Sequence, residues 1–292
     1  MKKPWQIWRD RRGRPSWLRI VTLVLLLVPV GIAVHAYATA GFGARPLNDV
    51  IHRTGYWALI FLMLSLAVTP LRRVARFGNL IDVRRMIGVA AFFYIAAHLL
   101  LYIADQSFSL TKVASEIVLR LYLTIGFIAL VGLAILAATS TDAMVKRLGG
   151  TNWRRLHQII YVVGLLALIH FFQQTKADVS VPVFVSGLFT WLIGYRLVAW
   201  WRRGEGELST ILLLALSVVV AFLTFIGEAV GIGIAYRVSP WRVLQSAFDF
   251  AYDIRPGWYV LAAGLVVVAI DIVRSRFAES RRVAAQPSPE RA

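Results

Sequence analysis

The chain has 292 residues, 59% of them hydrophobic and 16% charged, with a mean hydropathy of +0.68. So much apolar surface cannot be hidden in one soluble core, which places the sequence in the membrane class. The absence of cysteine excludes iron–sulfur clusters, thiol catalysis, disulfides and haem attached at C-x-x-C-H, so any redox group must be held by His, Met or Tyr, or be a flavin or quinone.

The basic N-terminus, Lys2 to Arg14, leads into an apolar run from Leu18 to about Ala38. It ends at Ala38-Thr39-Ala40, as a signal peptide would, but it is longer than the about 7–15 residues of a signal's apolar region, which favours a retained first span. Span two is expected from Ile51 to Leu71, stopped by Pro70 and the arginines 72, 73 and 76. Span three runs from Met86 to Ala104, span four from Leu121 to Ala138, span five from Leu156 to Phe172 and span six from Val181 to Trp201. Two more follow, Leu208–Gly231 and Trp258–Val273. Between them Ser239-Pro240-Trp241 starts a short surface helix, with Ser as N-cap and Pro in the first helical position. Tyr102, Trp153 and Trp200 fall near span ends, where interfacial aromatics gather. The expected fold is therefore all-α, a polytopic membrane helix bundle with a six-span core over 1–203, two further spans over 204–283 and a disordered tail over 284–292.

With both termini on one side, 24 of the 32 Lys and Arg lie on that side and 8 opposite, while the 15 acidic residues divide 8 and 7. This is the positive-inside pattern, so the termini are expected in the cytoplasm and the chain in a bacterial inner membrane. A basic face drawn to anionic lipid accounts for the net charge of +17 without nucleic acid. No G-x-G-x-x-G or P-loop is present, so the chain has no Rossmann domain of its own.

Ionisable residues within a span are costly and mark function. His98 on span three and His170 on span five lie 13 and 15 residues beyond the arginines 85 and 155, at similar depth toward the outer side, because both spans rise in the same direction. Two neutral imidazoles at one level are what a bis-histidine haem iron needs; the bland alternative is a pair of histidines bonded across the bundle without metal. His157 sits 13 residues below His170, about 20 Å along a helix, as a possible ligand to a second haem or an ordinary interfacial residue. His35 and His52 lie at or near outer span ends, as substitute ligands, partners of a haem propionate or quinone, or rim residues; Arg53 and Arg120, also at outer span ends, either pair with haem propionates or anchor to lipid headgroups. Glu228 lies between Gly227 and Gly231, a spacing suited to close helix packing.

The run Arg84-Arg85-Met86-Ile87-Gly88 leading to His98 and Tyr102, then Thr139-Ser140-Thr141-Asp142, Lys146-Arg147-Leu148-Gly149 and Trp153 through Tyr161 with His157 and, beyond, His170, is similar to the MsrQ family. His52-Arg53-Thr54-Gly55 and Thr69-Pro70-Leu71 also resemble it, and the likeness covers about residues 16–203. These are haem-binding membrane subunits of bacterial periplasmic methionine-sulfoxide reductase systems, within the ferric-reductase-like transmembrane superfamily. The resemblance implies a ferric-reductase-like six-helix core, b-type haem with His98, His170 and His157 as ligands, and an FMN. It further implies electrons drawn from a cytosolic flavin reductase or the quinone pool and delivered to a periplasmic molybdopterin enzyme, the chain being an electron-transfer subunit and not the catalytic one. Relatives in the superfamily carry two histidines on each of two helices, whereas Arg84 and Arg85 stand where a partner for His157 is expected. The competing readings are a ferric reductase or quinol-linked cytochrome b, and a non-redox transporter or scaffold.

Overall fold

The computed structural model describes residues 8, 13–39, 45–175, 178–202, 207–251 and 253–284. Most of the basic N-terminal segment and the expected disordered tail beyond Ala284 lie outside the described residues. All regular elements among them are helical: α1 (Trp17–Thr39), α2 (Pro46–Val74), α3 (Ile81–Asp105), α4 (Leu110–Leu119), α5 (Leu121–Ala138), α6 (Asp142–Leu148), α7 (Gly150–Leu156), α8 (Ile160–Gln174), α9 (Ser180–Trp201), α10 (Thr210–Tyr236), α11 (Pro240–Gln245) and α12 (Pro256–Ala284). Eight of the described segments are long and apolar enough to cross a membrane. The chain is a multi-pass membrane protein, and its many exposed Leu, Val, Ile and Phe side chains face outward, as lipid allows and water would not.

The eight expected spans are all present, and the fourth has the expected bounds. Span two does not stop at Leu71: α2 passes through Pro70 and continues to Val74. A proline removes one ladder bond, which a buried membrane helix tolerates, and Arg72 and Arg73 in the last turn suit the negative end of the helix dipole. Span five is not one helix, because a 3-10 turn at His157–Ile159 separates α7 from α8. The surface helix begins at Pro240 as expected, with Ser239 extended in the cap position, but gives way to a 3-10 turn at Ser246–Phe248.

The chain divides into two compact units. The first comprises residues up to Val68 and Asn79–Lys176. Within it α5 lies along α8, α3 packs on both α1 and α5, and α4 packs on α5. Small residues set the α5–α8 approach: a Cβ on Gly132 would meet Val163 Cγ2 at 2.6 Å. Tyr94 on α3 donates to the Leu26 carbonyl of α1 at 2.7 Å.

The second unit comprises Thr69–Gly78 and Ala177–Ala292. The sixth span, expected with the first five, is here grouped with the last two: α9, α10 and α12 pack on one another. The physical reason is the complementarity of their faces. A Cβ on Gly264 would collide with Ser217 Oγ, and one on Gly187 would meet Val260 and Thr224. Trp191 donates its indole N–H to Ser217 Oγ at 3.1 Å in the middle of this packing. The buried Glu228 carboxylate is met by Arg255 at 3.4 Å, and the buried Asp271 by Arg274 at 3.0 Å and Thr210 at 2.6 Å, so both intramembrane acids have partners.

Candidate haem site

The site lies within the first unit, in a cavity of about 280 Å³ bordered by α2, α3, α5 and α8. Its depth is apolar, with Leu59, Leu62, Leu130, Leu133 and Val163 among its walls. His98 enters from α3, seven residues before that helix ends, and His170 from α8, four residues before its end. Both imidazoles are half-buried, and their ring centres stand 6.5 Å apart with planes at 89°.

Each ring is held by the same local device. His98 Nδ1 lies 2.8 Å from the Ile51 carbonyl, and His170 Nδ1 lies 2.8 Å from the Tyr122 carbonyl. A carbonyl only accepts, so each Nδ1 carries the proton and each Nε2 keeps its lone pair. One turn past each carbonyl stands a glycine. A Cβ on Gly55 would sit 3.0 Å from His98 Nδ1, and one on Gly126 would sit 2.7 Å from His170 Nδ1. The absent side chains are what let the rings lie against α2 and α5. Tyr122 also brings its own ring to 6.4 Å from that of His170.

These are the features of histidine ligands fixed from behind by a backbone acceptor. A metal–imidazole bond of about 2.0–2.1 Å puts the ring centres of two ligands on opposite sides of one metal about 6.3 Å apart. The separation found is close to that value. Among the described residues no group of three or more His, Cys, Asp or Glu comes together to hold a metal ion. A pair of imidazoles falls short of a closed structural metal site, which takes about four protein ligands, but completes the coordination of an iron already held by a porphyrin. The residues present therefore fit a haem.

The other histidines are placed differently. His157 stacks on Trp153 at 3.9 Å, and its Nε2 lies 3.2 Å from Thr139 Oγ1. The Thr139 hydroxyl has its own acceptor, the Ile135 carbonyl at 2.7 Å, so its oxygen accepts from His157 and the proton sits on Nε2. This is the opposite tautomer to that of His98 and His170. His35, His52 and Arg53 are all exposed, and of the three His52 alone borders the cavity. Arg120 pairs with Glu116 and reaches the Tyr122 hydroxyl at 3.4 Å, also outside the cavity lining. The sequence reading missed Ile51, Tyr122 and Gly126, and took Gly55 only as part of a motif. The signal that was there is a repeat: the acceptor precedes its histidine by 47 residues in one hairpin and by 48 in the other.

The chain is similar to known proteins over the same helices. The family of ferric reductase like transmembrane components matches residues 54–168. A protein of Rhodospirillum rubrum named as the heme-binding subunit MsrQ of protein-methionine-sulfoxide reductase is 40% identical over 196 residues, 67% of this chain and 92% of that one. Its namesake in Xanthomonas campestris pv. campestris is 44% identical over 169 residues, 58% of this chain and 76% of the relative. That of Ralstonia nicotianae is 40% identical over 187 residues, 63% and 85% of the two chains. No solved structure matches. With nearly the whole of a relative aligned at this identity, and with the ferric-reductase-like match running from α2 through α3, which carries His98, into α8 two residues short of His170, the chain belongs to the MsrQ family.

Proposed function

We propose that this chain binds one haem b between His98 and His170 and serves as the electron-transfer subunit of a periplasmic methionine-sulfoxide reductase system. The observation that carries the reading is the pair of imidazoles, both with Nδ1 anchored and Nε2 free, whose centres stand 6.5 Å apart over one cavity. A bound haem supplies a one-electron couple. The protein's part is to hold both Nε2 lone pairs at one spacing and to keep water from the slot with the leucines of α2 and α5. The charge asymmetry between the two sides supports cytoplasmic termini in an inner membrane, which puts the cavity mouth on the periplasmic side.

On this reading electrons come from a cytosolic flavin reductase or the quinone pool and leave to a periplasmic molybdopterin reductase; the relatives' names support a methionine-sulfoxide reductase as the system served. FMN is a second cofactor of the same reading, tested by flavin released on denaturing the purified protein. A second haem on His157 is part of the same reading and requires its Nε2 to give up Thr139; the haem-to-protein ratio of the purified protein tests it.

The test is optical and then kinetic. Purified protein is expected to show a Soret band that is lost in His98→Ala and in His170→Ala and kept in His157→Ala. A wild type without the band, or alanine variants that keep it, overturns the haem pair. Reduced protein is then expected to be reoxidised by the periplasmic reductase plus methionine sulfoxide; a rate no greater than in buffer removes that partner and leaves a ferric reductase or quinol-linked cytochrome b.

A further inference from the structure

The cavity is apolar along its depth and polar at one end. At that mouth stand Asn48 and His52 from the start of α2, Asp105 from the end of α3 and Gln174 from the end of α8. Asn48 and His52 are four residues apart, so they share a helix face, and both border the cavity. Among the described residues neither side chain has a hydrogen-bond partner, although His52 is close enough to act electrostatically on both His98 and His170. Asp105 is the sole acid among the lining residues and takes the Gln106 amide at 3.0 Å. Arg53, next to His52 in sequence, borders none of the cavity.

Resting on the haem reading, we infer that His52 and Asn48 are the receptor for the carboxylates of the porphyrin. A flat ligand with an apolar body and two carboxylates fits such a slot in one sense, body inward and acids at the mouth, because an acid left in the apolar depth without donors is costly. His52 and Asn48 supply N–H donors at the mouth from α2, whereas Asp105 at the end of α3 repels a carboxylate. The acids therefore settle on the α2 edge. Since α2 also carries Ile51, which fixes His98 from behind, one stretch of helix would hold both an imidazole and the acids of the porphyrin.

Full-length protein made without haem and purified in detergent is titrated with iron protoporphyrin IX and, separately, with its dimethyl ester, following the Soret band. Esterification is expected to weaken binding to the wild type by roughly ten- to hundredfold, the weight of a hydrogen bond to a charged group. In His52→Leu most of that factor disappears, so the two changes are non-additive, while His52→Gln, which keeps an N–H donor, retains it. If His52→Leu does not load, Asn48→Leu carries the same comparison. An ester penalty of the same size in the wild type and in the leucine variants overturns the inference and leaves the haem reading standing. A wild type that shows no band dependent on His98 ends both.

Discussion

At the scale of the residue, the decisive atoms at the haem site are those behind the imidazoles. Gly126 and Gly55 give the rings room, and they do so unequally: an added Cβ would lie 2.7 Å from His170 Nδ1 but 3.0 Å from His98 Nδ1. Gly126→Ala must displace the ring and break its bond to Tyr122, whereas at Gly55 a shift of a few tenths of an ångström suffices. Gly126→Ala is therefore expected to lower haem affinity by about 10- to 100-fold, in the range for loss of a supporting partner, and Gly55→Ala by less. Titration with haem would check the order, and equal losses would contradict it. His98 and His170 were legible in the sequence because a histidine within an apolar run stands out. Their anchors were not, because a carbonyl acceptor has no signature of its own and any residue at 51 or 122 supplies one. His157 lies along the helix where the sequence put it, and its bond to the Thr139 hydroxyl could not be read from spacing.

At the scale of the element, hydropathy found every span and mistook some ends. Apolar content says how long a helix is wanted, but the stop depends on what the neighbouring chain satisfies, and Pro70 did not stop α2 because its surroundings are buried. α4 was passed over for a different reason. Its ten residues are too few to span, and only Val113 among them is buried, so it leaves no run for a span search to detect. In the second unit, a buried polar contact joins α9 to α10, Trp191 to Ser217. Ser217→Ala leaves the indole N–H unpaired in a region without water, and is expected to cost about 1–3 kcal/mol. Ser217→Thr keeps the hydroxyl but adds a methyl group beside Gly264, where there is no room even for a Cβ next to the Ser217 oxygen, so it does not rescue. Thermal unfolding in detergent reads both; a wild-type midpoint for the alanine variant would show that the indole finds another acceptor.

At the scale of the whole molecule, charge is the organising quantity, and the sequence showed it directly because basic residues collect beside spans on one side. The structure adds how some of that charge is used. Glu207, between α9 and α10, accepts from Arg274 at 3.0 Å and from Arg76 at 3.1 Å, tying the end of α12 to the turn after α2 within the second unit. Partial burial pushes its carboxyl upward, but the two arginines outweigh this and hold it below the ordinary value of 4.5. A carboxylate held low in the folded state contributes stability above pH 4.5 that is lost as the pH falls through its folded value. The unfolding midpoint of the wild type is therefore expected to drop on acidification below pH 4.5, and Glu207→Gln to start lower and drop less. Identical acid profiles for the two would show that the arginines gain nothing from Glu207.

The paired anchors behind His98 and His170 also bear on speed. An electron transfer is slowed when the atoms around the redox centre must rearrange as the charge changes. Here each ring is pinned at Nδ1 to a backbone carbonyl of a membrane helix and seated against a glycine, so neither would swing or slide if it held a haem iron. On the proposed reading, rings held this firmly in a slot walled by leucine and valine would keep the reorganisation energy of a bound haem small.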